Sequence, residues 1–282
     1  MPAEYQAVLK ELGRTGDFKD GVLKVNVPRN DLSVRVGGTS LPTPFGFGGW
    51  VAMAHGKGGN DVMMGDLVLQ QEEVNPVMSA LLNHGLEVTA LHNHFFWEDP
   101  RLFFMHIHGR GKPLDLAQRL KPALDLIGKV GQDSGQNKSS SGARSAEQKS
   151  ALDTAKIASI VGHQGEQLGS VYKITIGRDD IGLNEMGAKI NARMGLNTWA
   201  AFTGANDKAS VAGDVAMLER EVTSVLKALR TNGLDVVAIH HHMIGISPQV
   251  IFLHYWGRGP ADKLAAGFKA ALNELGKGSA TK

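Results

Sequence analysis

GDLVLQQEEVNPVMSALLNHGLEVTALHNH, residues 65–94, lines up without a gap against GDVAMLEREVTSVLKALRTNGLDVVAIHHH, residues 213–242, at an offset of 148. The match continues into PRLFFMHIHGRG from Pro100 and PQVIFLHYWGRG from Pro248. Upstream, GVLKVNVPRND (21–31) matches SVYKITIGRDD (170–180) at an offset of 149, and Trp50 matches Trp199. A period of this length is far beyond that of a solenoid and marks two fused, domain-sized copies. Such copies pack about a pseudo-two-fold axis, as the halves of a homodimer do. The similarity spans about 4–128 and 153–276, which divides the chain into a first copy (1–128), a linker (129–152) and a second, diverged copy (153–282). The stretch between the copies, GKVGQDSGQNKSSSGARSAEQKS, has almost no large apolar residue and reads as a flexible, solvated linker.

Within each copy the same elements recur. In the first, a helix is expected over about 4–12, ending at Gly13, then a strand near 21–27 where VLKVNV alternates apolar and polar. Further strands are expected from Gly49 to Ala54 and from Asp66 to Leu69. Val74, Val77, Met78, Leu81 and Leu82 recur at helical spacing, with Glu72 and Glu73 at the start and Gly85 at the end. LEVTALHNHF and RLFFMHIHG read as two strands joined through WEDP, and an amphipathic helix over about 113–127 closes the copy. Strands in runs without steady βαβ alternation make the fold class α+β: two homologous copies, each a mostly antiparallel sheet with helices packed on it.

Composition narrows the chemistry. The 282 residues carry 30 basic and 28 acidic side chains, a net charge of +2, which argues for a small-molecule substrate or ligand and against nucleic acid. Without cysteine there is no disulfide framework, no thiolate zinc site and no Cys nucleophile, so any metal must be held by nitrogen and oxygen. No transmembrane segment is expected, because no apolar run reaches the length of a span. The start, MPAEYQAVLKEL, lacks the pattern of a secretory signal peptide, which leaves the compartment open.

Of eleven histidines, His92, His94, His106 and His108 fall in the first copy's strand pair, and His240, His241, His242 and His254 in the second's. Residues two apart on a strand share a face, so His92 joins His94 and His106 joins His108. A turn centred on Pro100 sets His94 opposite His106 and His92 opposite His108, converging four imidazoles on one patch. The odd positions Leu91, Phe95, Phe103, Met105 and Ile107 then form the core side. Clustered imidazoles without thiolates suit a divalent transition metal, zinc foremost, with Fe, Mn, Ni or Cu also compatible. Three His ligands leave one coordination position for water. A single strand histidine is ordinarily a hydrogen-bonded polar residue; two His-x-His pairs facing each other favour a metal site. His240, His242 and His254 form a candidate second site, with Trp256 in place of the fourth histidine, so the principal site is expected in the first copy. His241, out of phase with these, is expected to be buried or interfacial.

Glu73, with its counterpart Glu221, is the candidate general base, although an acid at a helix N-terminus is also favourable by itself. Asp66 and Asp214 correspond too and read more readily as strand-entry residues. Gly109, Arg110, Gly111 and Gly257, Arg258, Gly259 are read as tight turns before a helix rather than anion loops. GFGGW (46–50) reads as a loop. No Gly-x-Ser-x-Gly elbow or His-Glu-x-x-His appears.

In EEVNPVM, VTALHNH and MHIHGRG the chain resembles the LppY/LpqO family, bacterial proteins built on a domain of unknown function. The family's His-Asn-His is matched by His92, Asn93 and His94, and its Met-His pair by Met105 and His106. Thr223–Ser224 in place of Asn75–Pro76, and His-His-His in place of His-Asn-His, set the second copy apart. The resemblance implies no particular reaction, but its name derives from mycobacterial lipoproteins and implies an envelope or exported location. The functional expectation is a metal-dependent enzyme of the hydrolase type acting on a small molecule through metal-activated water. A non-catalytic metal- or ligand-binding protein of the cell envelope is the alternative, and a purely structural duplication the third.

Overall fold

A computed structural model of the chain describes residues 1–129 and 151–277; most of the expected linker, 130–150, lies outside the described residues. The first copy begins with α1 (Ala3–Leu12), β1 (Gly16–Lys19) and β2 (Val22–Pro28). An arm follows, carrying β3 (Val34–Val36) and β4 (Thr39–Leu41), before β5 (Gly48–His55) and β6 (Asp61–Gln70). Then come α2 (Gln71–Asn83), β7 (Glu87–His92), β8 (Glu98–Asp99), β9 (Leu102–Gly111) and α3 (Pro113–Leu124). The second copy repeats this: α4 (Thr154–Val161), β10 (Glu166–Leu168), β11 (Val171–Gly177), and an arm with β12 (Asn184–Glu185) and β13 (Ala188–Lys189). It continues through β14 (Asn197–Ala205), β15 (Lys208–Leu218), α5 (Val222–Thr231), β16 (Asp235–His240), β17 (Val250–Gly259) and α6 (Ala261–Leu272).

Each copy is one six-stranded antiparallel sheet, ordered β1-β2-β5-β6-β9-β7 and β10-β11-β14-β15-β17-β16, so the fold is α+β as its strand runs require. Strand periodicity divides each sheet into two different faces. In the first copy the odd positions Leu23, Val25, Val51, Met53, Met63, Leu67, Met105 and Ile107 pack under α1, α2 and α3. The even positions Val22, Ala52, Ala54, Val62 and Met64 pack instead against Leu183, Ile190, Met194 and Leu196, on the arm of the second copy. Reciprocally, the first arm's Val34, Val36, Phe45 and Phe47 pack with Val171, Ala201, Ala212 and Trp256. The copies thus exchange arms about a pseudo-two-fold axis, and each sheet is covered on both faces.

The Gly-Arg-Gly segments are not turns. Both lie inside the last strand, because a Cβ on Gly109 would meet Leu86 at 2.7 Å and Leu116 at 3.1 Å, and one on Gly257 would meet Leu234 at 2.5 Å. The glycines let the helices approach the strand. Their arginines clamp the arms: Arg258 donates to the carbonyls of Val36 and Gly37, and Arg110 pairs with Glu185.

Glu73 is also structural, which corrects its expected role as a base. Completely buried on the helix side, it accepts hydrogen bonds from Arg29 (2.6 and 3.2 Å), the Gln70 amide (2.7 Å) and the Gly128 amide (2.6 Å). Glu221 repeats this with Arg178, the Leu218 amide and the Gly276 amide. Both carboxylate oxygens are committed to closing the copy on itself. Glu73→Ala leaves Arg29 buried with only the half-exposed Asp31 as a charged partner. Loss of about 3–5 kcal/mol is therefore expected in urea unfolding, with no loss of any metal bound elsewhere.

Candidate metal centre

On the even face of the first sheet, β9 presents Phe104, His106 and His108, and β7 ends in His92 with His94 just beyond it. The expected register does not hold. His92 faces Phe104, Ala90 faces His106 and Glu87 faces His108, with an irregularity between Val88 and Ala90. The cause is the connection after His94. It is not a tight turn at Pro100; it detours so that Glu98 and Asp99 pair with Val36 and Arg35 of the arm. The register change keeps His92 and His106 on one face but carries His108 away from the other histidines.

His108 belongs to a different structure. Its Nδ1 lies 2.9 Å from Glu87 and its Nε2 3.0 Å from Glu185 of the second copy's arm. Burial works against a charged Glu185, yet His108 and Arg110 hold its carboxyl below the usual range. A histidine with both nitrogens engaged by carboxylates is a clamp between copies, not part of the cluster.

The remaining six histidines meet as one set, so two separate sites give way to a composite one. Edge strands β7 and β16 approach at the axis, where Thr89 Oγ1 donates to the His242 carbonyl at 2.8 Å. His92 and His240 meet there with ring centroids 3.7 Å apart. His94 reaches across to His254 at 3.6 Å, and His242 to His106 at 3.8 Å. Phe104 stacks on His94 at 3.3 Å and Phe252 on His242 at 3.4 Å, fixing the ring planes. Near-equal pairs of distances are the pseudo-two-fold expressed at the site. His241, expected to be buried or interfacial, is instead half-exposed beside Gln249.

Burial of the cluster leaves its nitrogens without partners. Nine ring nitrogens have no well-formed hydrogen bond: Nε2 of all six and Nδ1 of His94, His240 and His242. His254 Nδ1 approaches the Gly213 carbonyl at 3.3 Å, and His106 makes the equivalent backbone bond to Gly65. A proton on those Nδ1 atoms turns the Nε2 lone pairs inward, the usual support of a ligating histidine. Nitrogens of His92, His240 and His254 lie within 4.8 Å of one another, as do those of His106, His240 and His242. Tetrahedral zinc requires about 3.3 Å between ligand nitrogens, given bonds of about 2.0 Å.

Asp66 and Asp214 lie on the same rows as the cluster, opposite His106 and His254. They therefore border the cluster as well as lying in the strand. Asp66 is buried with Oδ1 unpartnered; burial pushes its carboxyl up to about 7 against the pull of Lys24. Asp214 is held well above the usual carboxylate range by burial and then by Asp66. Its Oδ2 lies 3.7 Å from His242 Nε2, beyond a hydrogen bond. Trp50 and Trp199 occupy the neighbouring strand positions.

Fold and cluster together define a duplicated α+β protein with a histidine centre built jointly by its two halves. The chain belongs to the family described as Domain of Unknown Function (DUF1259), whose sequence pattern matches residues 6–126 and 155–274. This assignment replaces the LppY/LpqO resemblance. No curated protein matches the chain. Among solved structures, a trimeric bacterial microcompartment shell protein PduB is 14% identical, covering 92% of this chain and 91% of its own, with a TM-score of 0.22. EtuB from Clostridium kluyveri is 10% identical over 91% of this chain and 90% of its own, with a TM-score of 0.21. Among the described residues, no helix is long and apolar enough to cross a membrane.

Burial lowers the pKa of all six histidines, to about 4 for His92 and well below the ordinary 6.5 for the others. The unfolded chain takes up these protons first, so stability is full above pH ~6.5 and falls as pH drops toward the folded values. Each imidazole kept neutral contributes a slope of about 1.4 kcal/mol per pH unit. Urea midpoints of metal-free protein between pH 7 and pH 5 should fall steeply, and less steeply in a His106→Phe/His254→Phe variant.

Proposed function

We propose that the cluster is a metal centre shared by the two copies, holding a divalent transition ion, zinc foremost, in a hydrolase-type enzyme acting on a small molecule. One observation carries this reading: nine buried imidazole nitrogens lack well-formed partners, and two sets of three histidines bring one nitrogen each within 4.8 Å of one another. Each unsatisfied polar atom costs about 1–3 kcal/mol, and an ion replaces those costs with bonds. His92, His240 and His254, or His106, His240 and His242, supply three ligands and leave a coordination position free. An ion held there is a Lewis acid that makes water a nucleophile near neutral pH. With Glu73 committed to Arg29, the proton-accepting role passes to Asp66, whose free Oδ1 lies on the row of His106.

Burial of five of the six imidazoles supports a second reading, a closed non-catalytic metal-binding centre. In the cobalt-loaded protein, azide should perturb the visible spectrum if a position is open and leave it unchanged if the sphere is closed.

Elemental analysis of untagged protein should find about one equivalent of metal per chain. His240→Ala, common to both ligand sets, should lose it, loss in His254→Ala or in His106→Ala then tells the two sets apart, and His108→Ala and His163→Ala should keep it. Less than roughly a tenth of an equivalent, with no uptake on titration, would sink both readings.

A further inference from the structure

Two half-buried lysines flank the centre without a part in the reading above. Lys24 on β2 and Lys173 on β11 are repeat equivalents, and each holds its ammonium over an indole ring: Lys24 over Trp50 at 4.8 Å, Lys173 over Trp199 at 4.3 Å. Those indoles lead to the cluster. Trp199 lies 6.5 Å from His254, and Gly195 packs between the Trp50 ring and His242 Nδ1. Among the described residues, neither lysine's ammonium makes an ion pair or hydrogen bond.

Positive charge is also concentrated here. Burial first, then Lys173 and Arg193, lower the Lys24 ammonium to about 8. Arg193 pairs with Asp17 through its terminal nitrogen while its Nε is buried without a hydrogen-bond partner. The carboxylates acting on these groups are Asp17, Asp66, Glu166 and Asp214. Asp66 and Asp214 are the ones on the cluster rows. Two unpaired ammoniums and an orphaned guanidinium donor beside a ligand centre form a cationic wall whose complement is an oxyanion.

We propose that Lys24, Lys173 and Arg193 form an anion subsite next to the histidine cluster, which receives the carboxylate or phosphate group of a small acidic molecule. That this molecule is a substrate rests on the metal-enzyme reading; binding of the anion itself does not. The indole faces hold the two lysine side chains extended, so little rotamer freedom remains to be lost on binding.

Calorimetric titration of the metal-free protein with inorganic phosphate and with malonate tests the subsite apart from any ion. Both should bind the wild type, and K24M/K173M should weaken them by at least about tenfold, the loss expected for charge-assisted bonds. K24R/K173R, which keeps both charges, should retain affinity within roughly threefold, and all three proteins should take up the same zinc. Absence of phosphate and malonate binding by the wild type, equal affinity in K24M/K173M, or equal loss in K24R/K173R would each overturn the proposal. Anion binding that persists in a protein unable to take up metal would remove the metal centre and leave the subsite standing.

Discussion

An imidazole buried against other imidazoles has to remain neutral and find a partner for its lone pair. That constraint organises the interface between the copies. Each sheet turns one face toward the other copy, even-numbered in the first sheet and in β15 to β17 but odd-numbered in β11 and β14, and that face carries histidine, aspartate and lysine among its apolar residues. Helices cannot cover such a stripe without stranding polar atoms. A second copy of the same stripe brings its own histidines against it, and His92 meets His240 on the axis. The arms close the remaining apolar ends of each face, Leu183 to Leu196 on one sheet and Val34 to Phe47 on the other.

The difference between the copies has a packing explanation. His108 and Trp256 are equivalent strand positions, and so are Glu185 and Val36 on the arms that reach them. One interface pairs His108 with Glu185. Its counterpart places Trp256 and Val36 in one apolar cluster, with Arg258 over the indole at 5.1 Å. Each substitution on a strand is therefore matched by one on the opposing arm. The missing fourth histidine of the second copy reflects this exchange, not decay of a site, and the cluster keeps three histidines from each half.

Much of the architecture was legible because it is written in short-range periodicity. Alternation in VLKVNV placed a strand, Val74 to Leu82 placed a helix, and the 148-residue offset exposed the duplication. Parity also placed His92 and His106 on one face, since an even shift in register preserves it. The arm strands were not legible: β3, β4, β12 and β13 are two or three residues long and are stabilised by the other copy rather than by their own pattern. Glu73 was ambiguous for a related reason. A carboxylate at a helix start looks the same whether it faces a site or a buried arginine 44 residues away.

The amino-acid sequence alone determined the repeat, the α+β class, the absence of thiolate chemistry and the residue types able to hold a metal. Those properties depend on composition and on neighbours close along the chain. Only the tertiary structure decided that six histidines from two copies form one cluster, that His108 stands outside it, and that Lys24, Lys173 and Arg193 gather beside it. Such choices depend on register and on docking across the axis, where contacts join residues roughly half a chain apart and no local pattern records them.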